Sequence, residues 1–492
     1  MNAAWSGKDD PRLATDTAVE IAWWKTFADP TLDRLIELAY HQNLPLQVAG
    51  LRILEARAQL GIATAELLPV NVNPIASAAA EGVSSHAPNS ALLDHNYGAY
   101  QVGFDAIWEP DLWGKYRRGI RAARATYGAT IADYEDALVS LSADVARTYV
   151  VIRTFEALIE LANQNVQIEE EGLQIADSRF RNGAVSGLDV AQASTLLEGT
   201  RASIPVLQLG LKQAENALST LLGRPTGFVR DLLSGSSVIP VPPARVAVGV
   251  PAQLLRRRPD IRAAELRAVA QCDRIGVAKA DLLPSFQLFG SIGTQTSTGG
   301  GATSGNSSLA NLFGPGSLAY TAGVSLFWPI LRYPQIMNNI RFEDVRYQEL
   351  LVDYVSVVLK AAQEVEDGMT GYLKERDAAV SEEKAVTAAQ TGVELALSQY
   401  REGAIDYQRV LDTQRALLDS QNRLADMRSS AATNLIALYK ALGGGWEVRE
   451  GDPVVTESAR REMENRTNWG GYLSGPQRPP PPKTNGSAPT RK

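Results

Sequence analysis

The longest regular pattern of apolar positions in the chain lies between Asp111 and Phe180. Counting in sevens from Leu138 gives Leu138, Val145, Ile152, Ile159, Val166, Leu173 and Phe180, apolar at every stop. A straight α-helix drifts about 20° per heptad, so a stripe held in register over so many steps predicts a helix supercoiled left-handedly against a neighbour. No proline interrupts the stretch, and at 1.5 Å per residue a helix from 111 to 180 would be roughly 100 Å long. The residues Arg181-Asn182-Gly183-Ala184-Val185-Ser186-Gly187 then read as a tight turn. A second helix returns in sevens through Val190, Leu197, Ile204, Leu211 and Leu218, with Pro205 as an expected kink. It stops at Leu222-Gly223-Arg224-Pro225, where glycine and proline supply C-terminal punctuation.

Upstream, residues 1–29 read as a polar arm ending in an aromatic patch, Trp23, Trp24 and Phe27. Asp29-Pro30-Thr31 opens a helix with proline in its first turn; it breaks or restarts near Pro45 and runs to Leu67-Leu68-Pro69. The period then changes from that of a helix to that of a strand. Residues 70–81 and 97–108 read as two strands joined by a polar loop carrying His86 and His95. In the second, Tyr100, Val102, Phe104, Ala106 and Trp108 share one face and Gln101, Gly103 and Asp105 the other.

The whole pattern occurs twice. Trp108, Gly183, Val190 and Leu222-Gly223 return as Trp328, Gly403, Val410 and Leu442-Gly443 at an offset of 220, and Leu68-Pro69 returns as Leu283-Pro284 at an offset of 215. The second stripe reads Val358, Val365, Tyr372, Ala379, Val386, Val393 and Tyr400, and its return leg Val410, Leu417, Leu424, Ala431 and Leu438. The expected division is therefore an arm at 1–29, a first repeat at 30–237 and a Pro-rich connector at 238–251, followed by a second repeat at 252–447 and a disordered tail at 448–492. The first repeat comprises a helix, strands within 70–108, a long helix at 111–180, a turn at 181–187 and a return helix at 188–223. The second has strands within 285–328, a long helix to 400, a turn at 401–406 and a return helix at 407–442. Each return helix covers half of its long partner, and the preceding helix has the length to cover the other half.

Composition narrows the functional class. The 492 residues include no run of about 20 apolar positions, so no membrane-spanning helix is expected, whereas a β-barrel span needs only alternation over about 10 residues. A net charge of -7 leaves no nucleic-acid footprint. The single cysteine, Cys272, excludes an internal disulfide and a thiolate metal site, and its helical setting predicts a buried, inert thiol. With three histidines, no nucleophile elbow and no phosphate loop, neither an enzyme nor a bound cofactor is expected.

The strands point to lipid. Tyr100 and Trp108, like Tyr320 and Trp328, stand eight residues apart on one face, about 26 Å at strand rise, the spacing of the aromatic girdles of an outer-membrane barrel. Four strands cannot close a barrel and lipid forbids open sheet edges, so closure calls for several chains, and three copies give twelve strands. A soluble β-layer on a non-membrane coiled-coil scaffold is the competing reading of the same pattern.

Three further stretches carry a family resemblance: Phe104-Asp105-Ala106-Ile107-Trp108-Glu109-Pro110-Asp111-Leu112-Trp113-Gly114-Lys115, Arg257-Arg258-Pro259-Asp260-Ile261-Arg262-Ala263-Ala264-Glu265, and Tyr400-Arg401-Glu402-Gly403 with Val410-Leu411-Asp412-Thr413-Gln414-Arg415. With the internal duplication, they make the chain resemble the TolC-like outer membrane factor family, in its lipoprotein-type branch of efflux channels, over about residues 20–447. The resemblance implies a mainly helical homotrimer: tandem long helical hairpins forming an α-helical barrel in the periplasm, on a twelve-stranded barrel in outer membrane lipid. It also implies docking to a periplasmic adaptor and an inner-membrane pump of the RND type, with export of drugs or other small molecules and hence antibiotic resistance. A type I protein-secretion channel shares this fold and is the alternative. Members of the branch carry a signal peptide ending in a lipid-modified cysteine; neither is seen in this chain.

By the same resemblance, the turns Gly183, Ala184, Val185, Ser186, Gly187 and Gly403, Ala404, Ile405, Asp406 close the tunnel and meet the adaptor. Asp412 matches the family's constricting aspartate. Arg409 and its repeat-mate Asp189 have opposite charge, so an Asp189–Arg409 latch helped by Tyr400 is expected at the gate.

Overall fold

The computed structural model describes residues 5–6, 10–14, 20–68, 71–86, 95–233, 238–249, 257–298 and 308–473. In chain order the elements are β1 (Leu13–Ala14), α1 (Pro30–Gln42), α2 (Leu44–Ala65), β2 (Val72–Gly82), β3 (Asn96–Trp108), α3 (Lys115–Arg181) and α4 (Gly187–Leu221). They continue with β4 (Val246–Ala247), α5 (Pro259–Ala280), β5 (Ser285–Thr298), β6 (Leu318–Phe327), α6 (Tyr333–Glu402), α7 (Tyr407–Ala441) and α8 (Glu457–Arg466). The chain divides into two compact units, one of Met1–Leu54, Thr130–Ala264 and Tyr354–Lys492, the other of Glu55–Ala129 and Glu265–Asp353.

The first unit is helical, and the sequence repeat is visible in how its helices end. Asp29 caps α1, its carboxylate accepting from the Thr31 and Leu32 N–H groups at 2.9 and 3.3 Å, with Pro30 in the first turn. The break expected near Pro45 falls at Asn43, whose amide donates to the Leu221 carbonyl at 2.8 Å and so closes the end of α4. Arg258, 215 residues on, does the same for α7, donating to the Ala441 carbonyl at 3.0 Å while paired with Asp260 and Glu364. The expected aromatic patch is core: Trp23 stacks on Tyr439 at 5.4 Å and meets Trp24 and Phe27 edge-on.

The stripe in sevens is buried in the second repeat at Val365, Tyr372, Val393 and Tyr400, and in the first at Leu138, Val145 and Ile152. Beyond Ile152 the first repeat departs from expectation. Ile159, Val166 and Leu173 are half-buried and Phe180 is exposed, and the buried row shifts to Ala162, Asn165, Glu169, Gly172 and Ala176. That row also repeats in sevens, but its side chains are small or polar. On α6 a further apolar row, Val345, Val352 and Leu359, stands 69, 61 and 63 % exposed in the single chain.

The tail differs from its predicted disorder as far as Leu473. Thr456 caps α8, Val454 and Leu473 are buried, and the Val454 carbonyl fills the space a side chain at Gly50 would need. The order follows from that packing, which repays the entropy of fixing a polar segment. The Pro479-Pro480-Pro481-Pro482 run lies outside the described residues.

The second unit holds the four-stranded antiparallel sheet, in the order β2-β3-β5-β6. Its register keeps the two faces apart. The row Pro74, Phe104, Ile292, Tyr320 is apolar, and the next row, Asn73, Asp105, Ser291, Thr321, is polar. The outer edges of β2 and β6 are unpaired among the described residues, a state that a lipid-embedded sheet cannot keep. Cys272, expected to be buried, is exposed. The inward position on that turn of α5 is taken by Gln271, whose amide donates to the Glu343 carbonyl at 3.1 Å.

Candidate functional site

The candidate site is the pair of turns where α3 passes into α4 and α6 into α7. Both are built the same way. Gly183 and Gly403 adopt left-handed φ of 70° and 83°, which a side chain resists. Their N–H groups bond the Phe180 and Tyr400 carbonyls at 2.9 and 3.0 Å, and the next N–H groups, of Ala184 and Ala404, reach back to Arg179 and Gln399, both at 2.9 Å. This double closure is the Schellman arrangement for ending a helix. The return helices are then capped by repeat-mates, Ser186 accepting from the Leu188 N–H and Asp406 from the Arg409 N–H, both at 3.2 Å. Four of the expected docking residues, Gly183, Ser186, Gly403 and Asp406, thus have a local structural task. Ala184 and Ala404 are exposed at the surface, and Val185 and Ile405 are half-buried against the core.

Beneath the turns lies a cluster of buried side chains that includes Ala176, Ala193, Leu397, Tyr400, Tyr407 and Val410. Tyr400 is 0 % exposed and its ring meets Tyr407 edge-on at 5.1 Å. Its hydroxyl donates to Asp189 Oδ2 at 3.1 Å, tying α6 to α4. Burial, and next the Asp189 carboxylate, push the Tyr400 phenol up to about 12. Arg179 of α3 completes the knot: its guanidinium lies 4.6 Å over the Tyr400 ring and donates to the Tyr400 carbonyl, neutralising the C-terminal end of α6.

The expected Asp189–Arg409 pairing is not made within the chain. Asp189 is engaged by Tyr400, whereas the Arg409 side chain is exposed and has no ion pair among the described residues. The physical reason is reach: the buried phenol arrives from inside the bundle, while Arg409 projects from the solvated face of α7. Asp412, one turn further on that face, accepts from Gln408 Nε2 at 3.0 Å, and Gln408 in turn accepts from Gln192 of α4 at 3.4 Å. Arg401 pairs with Glu171 at 2.6 Å. Arg179, Gln192 and Gln408 were not singled out from the sequence. The signal available for Arg179 was its unlike repeat-mate, Gln399.

In the sheet, Tyr320 and Trp328 are 78 and 54 % exposed, and Tyr100 and Trp108 are half-buried. Tyr320 stands level with Phe104 and not with its repeat-mate Tyr100. Two strands apart, the mates are offset by four residues along the strand, about 13 Å.

A model of the family described as "Outer membrane efflux protein" matches residues 35–224 and 250–444. The chain belongs to the outer membrane efflux protein family. This efflux protein is 30 % identical over 431 residues to the pyoverdine export outer membrane protein OpmQ of Pseudomonas putida, covering 86 % of this chain and 88 % of the relative. It is 31 % identical over 453 residues to the toluene efflux pump outer membrane protein TtgI of Pseudomonas putida, covering 91 % and 92 %. Among solved structures, the outer-membrane channel OprN superposes with a TM-score of 0.83 at 29 % identity, over 91 % of this chain and 97 % of OprN. The Campylobacter jejuni channel CmeC gives 0.79 at 24 % identity, over 91 % and 94 %, a likeness of fold. The efflux protein therefore has the trimeric outer-membrane-factor fold, a helical barrel on a shared β-barrel, and is the outer membrane channel of an efflux system and not an enzyme. Trimer formation accounts for the open edges of β2 and β6. The soluble-scaffold reading falls with the family assignment.

Proposed function

We propose that this channel is closed at its hairpin turns by the Tyr400–Asp189 tie, docks a periplasmic adaptor on those turns, and passes small molecules received from an inner-membrane pump of the RND class. The observation that carries the reading is the knot at Tyr400, where one buried residue joins α6 to α4 by its side-chain hydroxyl and α6 to α3 through its backbone carbonyl. Such a tie holds the ends of the two hairpins together and must be broken or carried along when they part. Arg409 and Asp412, three residues apart on the exposed face of α7, make no ion pair among the described residues, Asp412 being held only by Gln408, and both are available to the axis. Three copies of Asp412 would form a carboxylate ring that favours cations. Gly183 to Gly187 and Gly403 to Asp406 offer the adaptor small residues and accessible backbone between two capped helix ends.

In the sheet, Tyr100, Trp108, Tyr320 and Trp328 form the aromatic girdle. The offset of about 13 Å between Tyr100 and Tyr320 supports this, because strands tilted to a barrel axis carry residues of equal height at staggered registers. Pyoverdine, solvents and toluene in the names of the relatives speak for small molecules as cargo.

The test is complementation. A strain lacking its own channel but supplied with the neighbouring adaptor and pump should regain export of a fluorescent pump substrate when this chain is produced, with the protein in the outer membrane as a trimer. Trimers in the outer membrane without regained export with any RND-type pair would refute the partner assignment.

A further inference from the structure

One titratable group at the core of the hairpin ends has no part in the gate described above. Glu169 of α3 is 2 % exposed, on the shifted polar row of that helix. Its Oε1 accepts from Thr200 Oγ1 of α4 at 3.0 Å, and its Oε2 has no hydrogen-bond partner among the described residues. Gln414 of α7, equally buried, donates to the Ile168 carbonyl at 3.5 Å and leaves its own Oε1 without a partner. A Cβ at Gly172 would lie 3.2 Å from both Gln414 Nε2 and Tyr407 Oη, so these α7 side chains rest on α3 one turn from Glu169, where glycine makes room for them. Among the described residues Glu169 Oε2 and Gln414 Oε1 are both acceptors without a donor, and a proton on the carboxyl would turn the first into a donor. The repeat-mate of Glu169 is Ala389, so the other hairpin has no counterpart.

Among the described residues no cation pairs with the carboxyl. On α3, Glu170 and Glu171 are drawn outward by Arg201 and Arg401. On α4, Thr200 faces the carboxyl while Arg201 is occupied by Glu170 and Glu198. From α7 come Tyr407 and Gln414, with Asp412 and Arg415 exposed; α6 adds Leu397 and Tyr400, the latter turned to Asp189. Burial therefore dominates and pushes Glu169 up to about 7, against the Thr200 hydrogen bond that pulls it down. Thr200, whose hydroxyl bonds the carboxyl, also lines a groove of about 620 Å³ between α3, α4 and α7, with Leu158, Leu196 and Leu418 and with the charged Arg415 and Asp426, so the groove reaches the hydroxyl that Glu169 holds.

We propose that Glu169 is a proton-operated switch beneath the gate: protonated, it keeps α7 packed dry against α3 and α4, and ionised, it draws water in past Thr200 and loosens the turn of α7 that carries Asp412. The proposal rests on the reading of the hairpin turns as the gate. It makes the resting channel leakier as the periplasm turns alkaline, with a midpoint near neutrality.

The experiment uses the full-length trimer in two readouts. In planar bilayers at fixed salt, open probability should rise by about tenfold per pH unit for each chain whose switch must act as pH climbs towards the midpoint, and then level off. Glu169→Gln should stay at the low-pH value throughout, and Thr200→Val should move the midpoint to higher pH. Hydrogen exchange of residues 407–417 should quicken from about pH 6 to 8 in the parent relative to Glu169→Gln, after correction for intrinsic rates. Identical pH profiles in parent and Glu169→Gln by both readouts would overturn the switch. A trimer that conducts at no pH would overturn the gate reading, and the exchange measurement would still decide the switch.

Discussion

Removing the Tyr400 hydroxyl tests the tie at the hairpin ends most directly. Tyr400→Phe deletes one oxygen from a fully buried ring and leaves its contacts with Tyr407 at 5.1 Å and Arg179 at 4.6 Å in place, so the bundle should fold and the trimer assemble. What is lost is a hydrogen bond from a neutral donor to the Asp189 carboxylate at 3.1 Å. Bonds to a charged partner contribute about 1.5–3 kcal/mol, and because Asp189 is half-buried the lower end applies. About 1.5 kcal/mol is roughly a tenfold change in the closed-to-open ratio per chain, and if three symmetric ties part together the trimer shifts by about a thousandfold. The phenol is held near 12, so the hydroxyl keeps its proton well beyond pH 9 and the effect of Tyr400→Phe should not vary between about pH 5 and 9. Single-channel recording of parent and variant in planar bilayers reads this as open probability. An open probability within twofold of the parent, with trimers intact, would refute the idea that this bond holds the ends together.

Three further outcomes follow from the structure. Gly403→Leu places a side chain at φ 83° with its Cβ about 3.3 Å from Arg179 Nη2, so adaptor-dependent export should fail while trimers still form, as read by a drug-susceptibility assay beside native electrophoresis. Asp136 is raised to about 6, first by burial and then by Asp260, so it favours folding while protonated, an advantage complete below about pH 4 and gone above about 6. Asp136→Asn should therefore raise the melting temperature in detergent at pH 8, by the equivalent of about 1–3 kcal/mol, and leave it unchanged at pH 4. Phe104→Lys puts a charge in the apolar row of Pro74, Ile292 and Tyr320. At about 2–4 kcal/mol per chain at mid-bilayer, it should cut the yield of outer-membrane trimer, whereas Asp105→Lys on the opposite face should not.

Periodicity and duplication carried the element order, both turns, the alternation of the strands and the need for further copies, because these depend on which residues share a face. Position in the repeat points to Asp189 as the mate of Arg409, whereas Tyr400 and Asp412 draw notice through the family resemblance. What each side chain meets depends on three dimensions. Asp189 bonds Tyr400 and not Arg409, since the two helices bring a buried phenol to it from 211 residues away. The tail folds to Leu473 because the bare backbone at Gly50 leaves it a seat. Cys272 is exposed because Gln271 takes the inward place. Glu169 shows the difference most plainly: as a letter it belongs to an acidic run on a solvated helix, and only the packing of α4 and α7 over α3 takes it out of water. A heptad pattern reports that a helix has a buried side, and the partners that bury it decide which side that is.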